Sequence, residues 1–453
     1  MGKTINLTRG HDIKLVGGAM KVIGQTPEIS TFALKPADVF GIKPKLLVKQ
    51  GDEVKAGSPL FYDKNNESAM FCSPVSGEVV EIVRGEKRKL LEIKVLADKE
   101  MSFEDLGTKA DIASLDRDTV ISSLLKSGAW PMLRMRPFAK AAKPSDTPKA
   151  IFISGFDSAP LAPDYNFILE GKAAEFQTGL DVLQKLTTGK VHLNLEKGQK
   201  PCDSFANATG VEKNHFSGPH PSGTIGVQIH HIDPIKKGDV VWYINPQDVI
   251  TIGKVFTEGK FDPVRTIAVT GAEFGSRKYF ETRLGCCVEP FIKDNLTPAE
   301  EGKTRFISGS PLLGDRIEST GFLSFWDCQL TSMHNRDYPE FQGWIMPSYK
   351  RPTASKAFPW SMEPDTQFVA NTSTHGEERA FIVTGQYEKV LPMDIYPVYL
   401  LKAIMAEDIE KMEGLGIYEV AEDEMALCEF VCTSKTPVTE YIRHGLELIE
   451  REG

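Results

Sequence analysis

Residues 48–80 read VKQGDEVKAGSPLFYDKNNESAMFCSPVSGEVV. Short apolar runs alternate with turn residues throughout. Gly51-Asp52, Val54, Gly57 and Leu60 mark a way in, and Pro74, Gly77 and Val79 mark a way back. Gly and Asp between β-branched and aromatic runs predict short strands joined by tight hairpins. Working outward, Leu46–Val48, Pro59–Tyr62, Val79–Val83 and Leu90–Val95 are expected as strands of one small all-β unit.

This order of turns and core positions resembles the barrel-sandwich hybrid fold of biotinyl and lipoyl domains. In that fold one lysine at a hairpin tip carries the prosthetic group. Asp63-Lys64 stands near the tip, which makes Lys64 the candidate modified lysine. Lys64 follows Leu60 closely, however, and Asn65-Asn66-Glu67 does not continue as a carrier hairpin does. A solvated turn lysine is the plainer role, so the sandwich is expected without the arm.

The remaining chain is too long for one core. Of 453 residues, 41% are hydrophobic and 25% charged, an ordinary balance for a globular protein. A net charge of −9 argues against nucleic-acid binding, which needs a basic face. Seven cysteines with no CxxC fit a reducing compartment better than a disulfide framework. The N-terminal MGKTINLTRGHDIKL lacks the apolar core of a signal peptide. The most apolar runs, such as Val398–Ala406, fall short of the roughly 18 residues that span a bilayer.

Residues 99–118 look like a polar linker, 119–126 a short helix and 140–149 a loop. From Ala150 the pattern changes to alternating strands and helices: strands at Ala150–Ser154, Lys190–Leu195, Asp239–Ile244 and Arg265–Thr270, and a helix at Lys172–Leu186. Asn245 caps a further helix with Pro246 in its first position. Strands separated by helices predict a βαβ-type sheet. Residues 271–325 return to short strands, and 331–379 are an ordered but irregular connection rich in Pro, Trp and Tyr. A helix capped by Asp394 is expected to carry Val398, Leu401, Met405, Ile409 and Met412 on one face as far as Gly414. Two more helices follow, one through Glu422–Val431 and one from Thr436-Pro437.

Candidate chemistry is sparse. Cys428 and Cys432 are four apart on a predicted helix, so their thiols share a face. Two thiolates do not complete a four-iron cluster, which leaves packing as their main role and redox or metal chemistry as the alternative. Cys286-Cys287 is expected to be buried structure. His230-His231 point in different directions on a helix. His215 and His220 lie in a Gly/Pro loop without carboxylates at ligand spacing. Ser154-Gly155-Phe156 is followed by no GxGxxG, and Gly309–Gly314 has no GK[ST] ending. No catalytic or metal residue is assigned.

The tail carries a specific signature: Gly376-x-x-Arg379-Ala380, Gly385-x-Tyr387-Glu388, Pro392-x-Asp394, Leu400-Leu401, Leu415-Gly416 and Glu424-x-Ala426-Leu427-Cys428-x-x-Val431-Cys432. Lys49-x-Gly51-Asp52, Arg84-Gly85-Glu86-Lys87-Arg88 and Gly343-Trp344-Ile345 add to it. Together they resemble the A-subunit family of the sodium-translocating NADH:quinone reductases (Na+-NQR). A more distant likeness runs to the C subunit of the Rnf complex, together with the flavin subunit of complex I. The resemblance implies a peripheral subunit on the cytoplasmic face of the bacterial inner membrane, within a six-subunit complex that pumps sodium. NADH, FAD, FMN, riboflavin and iron–sulfur centres would lie on partner subunits and none on this chain. Quinone is the substrate of the complex, with no contact residue identifiable. The implied architecture is a barrel-sandwich hybrid (1–100), an α/β Rossmann-like domain (101–262), a small β-grasp (SLBB-like) module (263–330), the connection (331–379) and a C-terminal helical domain (380–453). The alternatives are a carrier acylated at Lys64 and fused to an α/β domain, an assembly scaffold without ligand, or an Rnf-like electron-transfer subunit.

Overall fold

The computed structural model describes residues 2–297, 303–336, 342, 354 and 365–453. Most of the connection, with Trp344 and Trp360, lies outside the described residues. The quoted stretch forms parts of two sheets. Thr31–Leu34, Leu90–Ala97, Gly77–Arg84 and Glu53–Val54 make one of four strands; Pro44–Leu46, Pro59–Asp63 and Asn66–Cys72 make one of three. Inward residues of both, among them Leu60, Phe61, Phe71, Val79 and Ile93, share one core. Phe61 stacks on Phe71 with ring centroids 4.5 Å apart. Gly51 and Gly57 hold φ of 91° and 97°, a left-handed backbone that glycine adopts at least cost. The chain ahead of Thr31 pairs elsewhere, with Thr4–Asn6 beside Glu212–Ser217 and Met20–Ile23 beside Lys278–Arg283.

The α/β region builds a seven-stranded sheet. Its order is Thr4–Asn6, Glu212–Ser217, Lys190–Glu196, Ala150–Ser154, Val241–Ile244, Arg134–Arg136 and Lys140–Ala141. The first five strands run parallel and the last two pairings are antiparallel. Chain order along the parallel strands reverses between Ala150–Ser154 and Val241–Ile244. That point opens a crevice at the strands' carboxyl ends. Asn245 accepts from the Gln247 N–H at 2.9 Å and Pro246 opens helix Pro246–Thr257, as the sequence predicts. This helix crosses Ala173–Leu186 so closely that a Cβ on Gly179 would stand 2.0 Å from the Val249 carbonyl oxygen.

Arg265–Thr270, which the local strand–helix pattern groups with the α/β strands but the implied architecture with the module after residue 262, lies in a second, mixed sheet of six. Strand Val264–Gly271 is held there by an antiparallel partner, Lys278–Arg283, and a parallel one, Gln329–His334. Thr304–Ser308 and Asp315–Ile317 complete one side.

The C-terminal helices also depart from expectation. One helix from Asp394 to Gly414 becomes two, Pro397–Met405 and Ile409–Gly414. Pro397 sits at the first helical position with Tyr396 as the cap residue, so Asp394 is not the cap. Glu407 turns left-handed at φ 52°, and the Asp408 side chain accepts from the Lys411 N–H to start the second helix. Met405 is left 38% exposed by that break. Helices Glu422–Phe430 and Val438–Glu452 follow. Gly445 lets the last helix approach Ile404, whose Cγ1 would be 2.9 Å from an added Cβ.

Alongside a shared apolar core, a buried ion pair joins these helices to the α/β sheet. Arg136 donates through both terminal nitrogens to Glu424, at 2.9 and 3.1 Å. The same carboxylate accepts the Gly226 N–H at 3.0 Å and the Ala421 N–H at 2.8 Å. Both side chains are essentially inaccessible. Burial pushes Glu424 toward protonation, and Arg136 and the backbone donors oppose it. Removing Glu424 leaves the buried Arg136 with only the partly exposed Asp423, at 3.5 Å, and breaking such a buried pair costs about 3–5 kcal/mol. Glu424→Ala should therefore lower the unfolding free energy by about that amount in urea titrations, against about 0.5 kcal/mol or less for an exposed control such as Glu440→Ala.

Candidate functional site

The crevice at the sheet's reversal point opens into a cleft of about 920 Å³. Its floor is the end of the parallel strands, at Ser154 and Tyr243 to Asn245; Ser310, Leu312 to Gly314 and Trp326 line one wall, and Glu422, Asp423 and Arg443 another. Three regions distant in sequence thus meet there.

The crevice lacks the usual phosphate-binding elements of a dinucleotide site. Phosphate binding at such a site needs a glycine turn leading straight into a helix N-terminus. Here the chain runs from Ser154 through a loop before the four-residue helix Tyr165–Ile168. The loop's hydroxyls are committed: Ser154 Oγ donates to the Phe156 carbonyl at 2.7 Å, and Ser158 Oγ accepts the Gly223 N–H at 2.8 Å. The nearby amino end of helix Ile225–Ile232 already holds an anion, since its Gly226 N–H donates to Glu424. Asp38, Asp157, Asp248, Asp327 and Asp423 also line the cleft and repel phosphate.

Other polar groups have no partner. Alternation along strand Arg134–Arg136 puts both arginines on one face. Arg136 takes Glu424, whereas among the described residues the Arg134 guanidinium has neither hydrogen bond nor ion pair. It lies over two rings instead, Trp326 at 4.3 Å and Tyr243 at 5.0 Å. Buried and unpartnered atoms beside it are Arg134 Nε, Tyr243 Oη, His220 Nε2 and Asp248 Oδ2. His220 Nδ1 lies 3.0 Å from Ser158 Oγ. With the Ser158 hydroxyl donating there, Nε2 carries the proton, a buried donor without a partner in a residue that lines the cleft. Burial lowers the His220 pKa to about 4, against the pull of Asp12 and Asp423. Burial also raises Asp38 to about 6, opposed by Lys35 and the Phe325 N–H. The site therefore offers donors between aromatic surfaces, with carboxylates nearby.

The sequence candidates fall elsewhere. Lys64 and Asn65 form the two-residue turn between Pro59–Asp63 and Asn66–Cys72, with Lys64 exposed. Cys428 and Cys432 both adjoin Tyr387, with Cys432 past the helix end. Burial raises the Cys428 thiol. For Cys432, burial is outweighed by the Tyr387 hydroxyl at 2.9 Å and the Thr436 N–H at 3.4 Å, which lower its pKa. All seven cysteines are buried and free. His230 Nδ1 is 2.7 Å from Glu419, and His231 Nε2 donates to the Pro392 carbonyl at 2.8 Å, so each ring ties the C-terminal region to helix Ile225–Ile232. Arg134 and Tyr243 are not among the sequence candidates. The alternating Arg134-Met135-Arg136 is the signal that points to them.

Three family descriptions match the chain: "NqrA N-terminal barrel-sandwich hybrid domain" over residues 5–98, "NqrA second alpha/beta domain" over 115–261 and "NQRA C-terminal domain" over 266–319. A protein of Rhodopirellula baltica, named as the A subunit of a Na(+)-translocating NADH-quinone reductase, is 37% identical, covering 100% of both chains. The chain belongs to the NqrA family, the A subunits of the Na(+)-translocating NADH-quinone reductases. Proteins of the same name from Yersinia pseudotuberculosis and Alcanivorax borkumensis are each 36% identical over 99% of this chain and 100% of theirs. An NqrA protein is part of an enzyme complex that couples NADH–quinone electron transport to sodium translocation. Among the described residues no helix is long and apolar enough to cross a membrane. A solved NAD+-reducing [NiFe]-hydrogenase in the air-oxidized state overlaps with TM-score 0.39 and 11% identity, over 76% of this chain and 64% of that one, too little to carry an argument.

Two outcomes follow from the site. A histidine held neutral by burial contributes stability that is complete above pH about 6.5 and is lost as pH falls toward about 4. Urea unfolding of the native chain should lose about 3 kcal/mol more than His220→Asn across that window. Intact mass spectrometry of the chain from its native membranes should return the unmodified 50.2 kDa, with no lipoyl or biotinyl increment on Lys64.

Proposed function

We propose that this chain is a peripheral subunit on the cytoplasmic face of the bacterial inner membrane, one of six in its complex, and that its crevice contacts quinone. NADH, FAD, FMN, riboflavin and iron–sulfur centres belong in this reading to the partner subunits. The sandwich is a lipoyl-like fold without a carrier lysine, the α/β region is Rossmann-like, and the mixed sheet is an SLBB-like β-grasp module.

The observation that carries the quinone contact is Arg134. A guanidinium over two aromatic rings, with no partner among the described residues, suits a neutral planar ligand with a carbonyl acceptor. Tyr243 Oη and His220 Nε2 add donors, and the acidic lining disfavours phosphate. Quinone head groups have this chemistry, and the relatives' shared name includes quinone. The long tail needs an apolar exit, for which Phe40 and Leu313, 41% and 38% exposed, provide surface at the rim.

A hydrogen bond from a charged donor is worth about 1.5–3 kcal/mol. In the purified complex, Arg134→Ala should therefore raise KM for quinone roughly tenfold to a hundredfold. NADH oxidation by a soluble acceptor serves as the control. Quinone kinetics equal to native would remove the contact and leave an assembly scaffold.

A further inference from the structure

Strands Gly77–Arg84 and Leu90–Ala97 form the longest hairpin of the sandwich, and its end is basic. Four of the six residues 84–89 are Arg or Lys, namely Arg84, Lys87, Arg88 and Lys89, against one acid, Glu86. All five are exposed. Among the described residues none of the four cations forms an ion pair, although the chain as a whole carries −9. Elsewhere on the same sheet, Lys94 is paired with both Glu81 and Glu92.

The tip is shaped as well as charged. Lys87 and Arg88 hold φ of 53° and 62°, which non-glycine residues adopt at a cost. The Gly85 N–H donates to the Lys89 carbonyl at 2.8 Å and the Lys89 N–H to the Glu86 carbonyl at 3.0 Å, so the turn is closed. Arg84 donates to the Arg88 carbonyl at 3.3 Å. The opposite end of the hairpin is anchored in the protein: the Asp98 N–H donates to the Ser76 carbonyl, the Ser102 N–H donates to Ser76 Oγ, and Arg283 donates to the Pro74 carbonyl. Eight-residue strands place the tip roughly 24 Å from that anchored end.

We propose that this hairpin tip is a contact site for an anionic phospholipid surface. Protein interfaces centre on aromatic anchors and are depleted in lysine, which supplies two of the four cations, and the tip has no aromatic residue. Unpaired cations on long stems, with no apolar anchor, match the diffuse charge of lipid head groups instead. The chain has no bilayer-crossing helix among its described residues, so a rigid cationic finger would set its orientation beside membrane-spanning partners. This inference is independent of the quinone contact.

The test uses the purified full chain with phosphatidylcholine vesicles, with and without phosphatidylglycerol, in co-sedimentation at about 0.1 M salt. The native chain should partition onto the phosphatidylglycerol vesicles and leave them as salt rises. Lys87→Gln/Arg88→Gln/Lys89→Gln should weaken partition on the order of a hundredfold, at about fivefold for each charge removed. Lys87→Arg/Lys89→Arg should bind like native, which separates charge from local folding. Equal partition onto both vesicle types, or a triple variant that binds like native, would overturn the proposal. So would a triple variant that binds vesicles normally but fails to join the complex, since that outcome assigns the tip to a protein partner.

Discussion

A guanidinium and a carboxylate, both removed from water, hold the C-terminal helices against the α/β sheet. Arg136 comes from a strand near the sheet's edge, and Glu424 from a helix 288 residues later. Without Glu424, Arg136 would keep only the partly exposed Asp423, at 3.5 Å, as a counter-charge. The arrangement also uses Glu424 as the anion at the amino end of helix Ile225–Ile232, through the Gly226 N–H. A Cβ on Gly226 would stand 2.4 Å from that carboxylate, so the position requires glycine. One side chain thereby caps its own helix, neutralises Arg136 and fills a place that other α/β folds give to phosphate.

The consequence is a crevice with unusual content. Its backbone resembles a nucleotide site, with chain order reversing at the sheet's centre. Its chemistry does not. Hydroxyls in the loop after strand Ala150–Ser154 turn inward. Ser154 accepts from Gln228, which accepts from Asn194, which accepts from Asn214, so a buried amide ladder runs behind the crevice floor. What faces the cleft is Arg134 with Trp326 and Tyr243, set among carboxylates.

The sequence showed much of this where local rules suffice. Turn chemistry from Gly51 to Gly77 located the sandwich hairpins, and Asn245-Pro246 located a helix start to the residue. Local patterning did not reveal that Thr4–Asn6 and Met20–Ile23 join different sheets, because strand pairing over long separations leaves no short-range signal. The helix break at Glu407 and Asp408 was hidden by a continuous apolar period, although Asp408 is a good cap. Cleft residues were the least legible. Arg134, Tyr243 and Trp326 are far apart in the chain, and only the fold makes one site of them. Cys428 and Cys432, expected mainly to pack, both adjoin Tyr387.

The most direct measurement is calorimetric titration of the purified chain with NADH and, separately, with FMN. A crevice whose anion position is filled by Glu424 and whose walls are acidic should show no heat beyond dilution up to millimolar ligand. Saturable binding in the micromolar range for either ligand would contradict it, and would mean that the C-terminal helices leave the crevice open to phosphate after all.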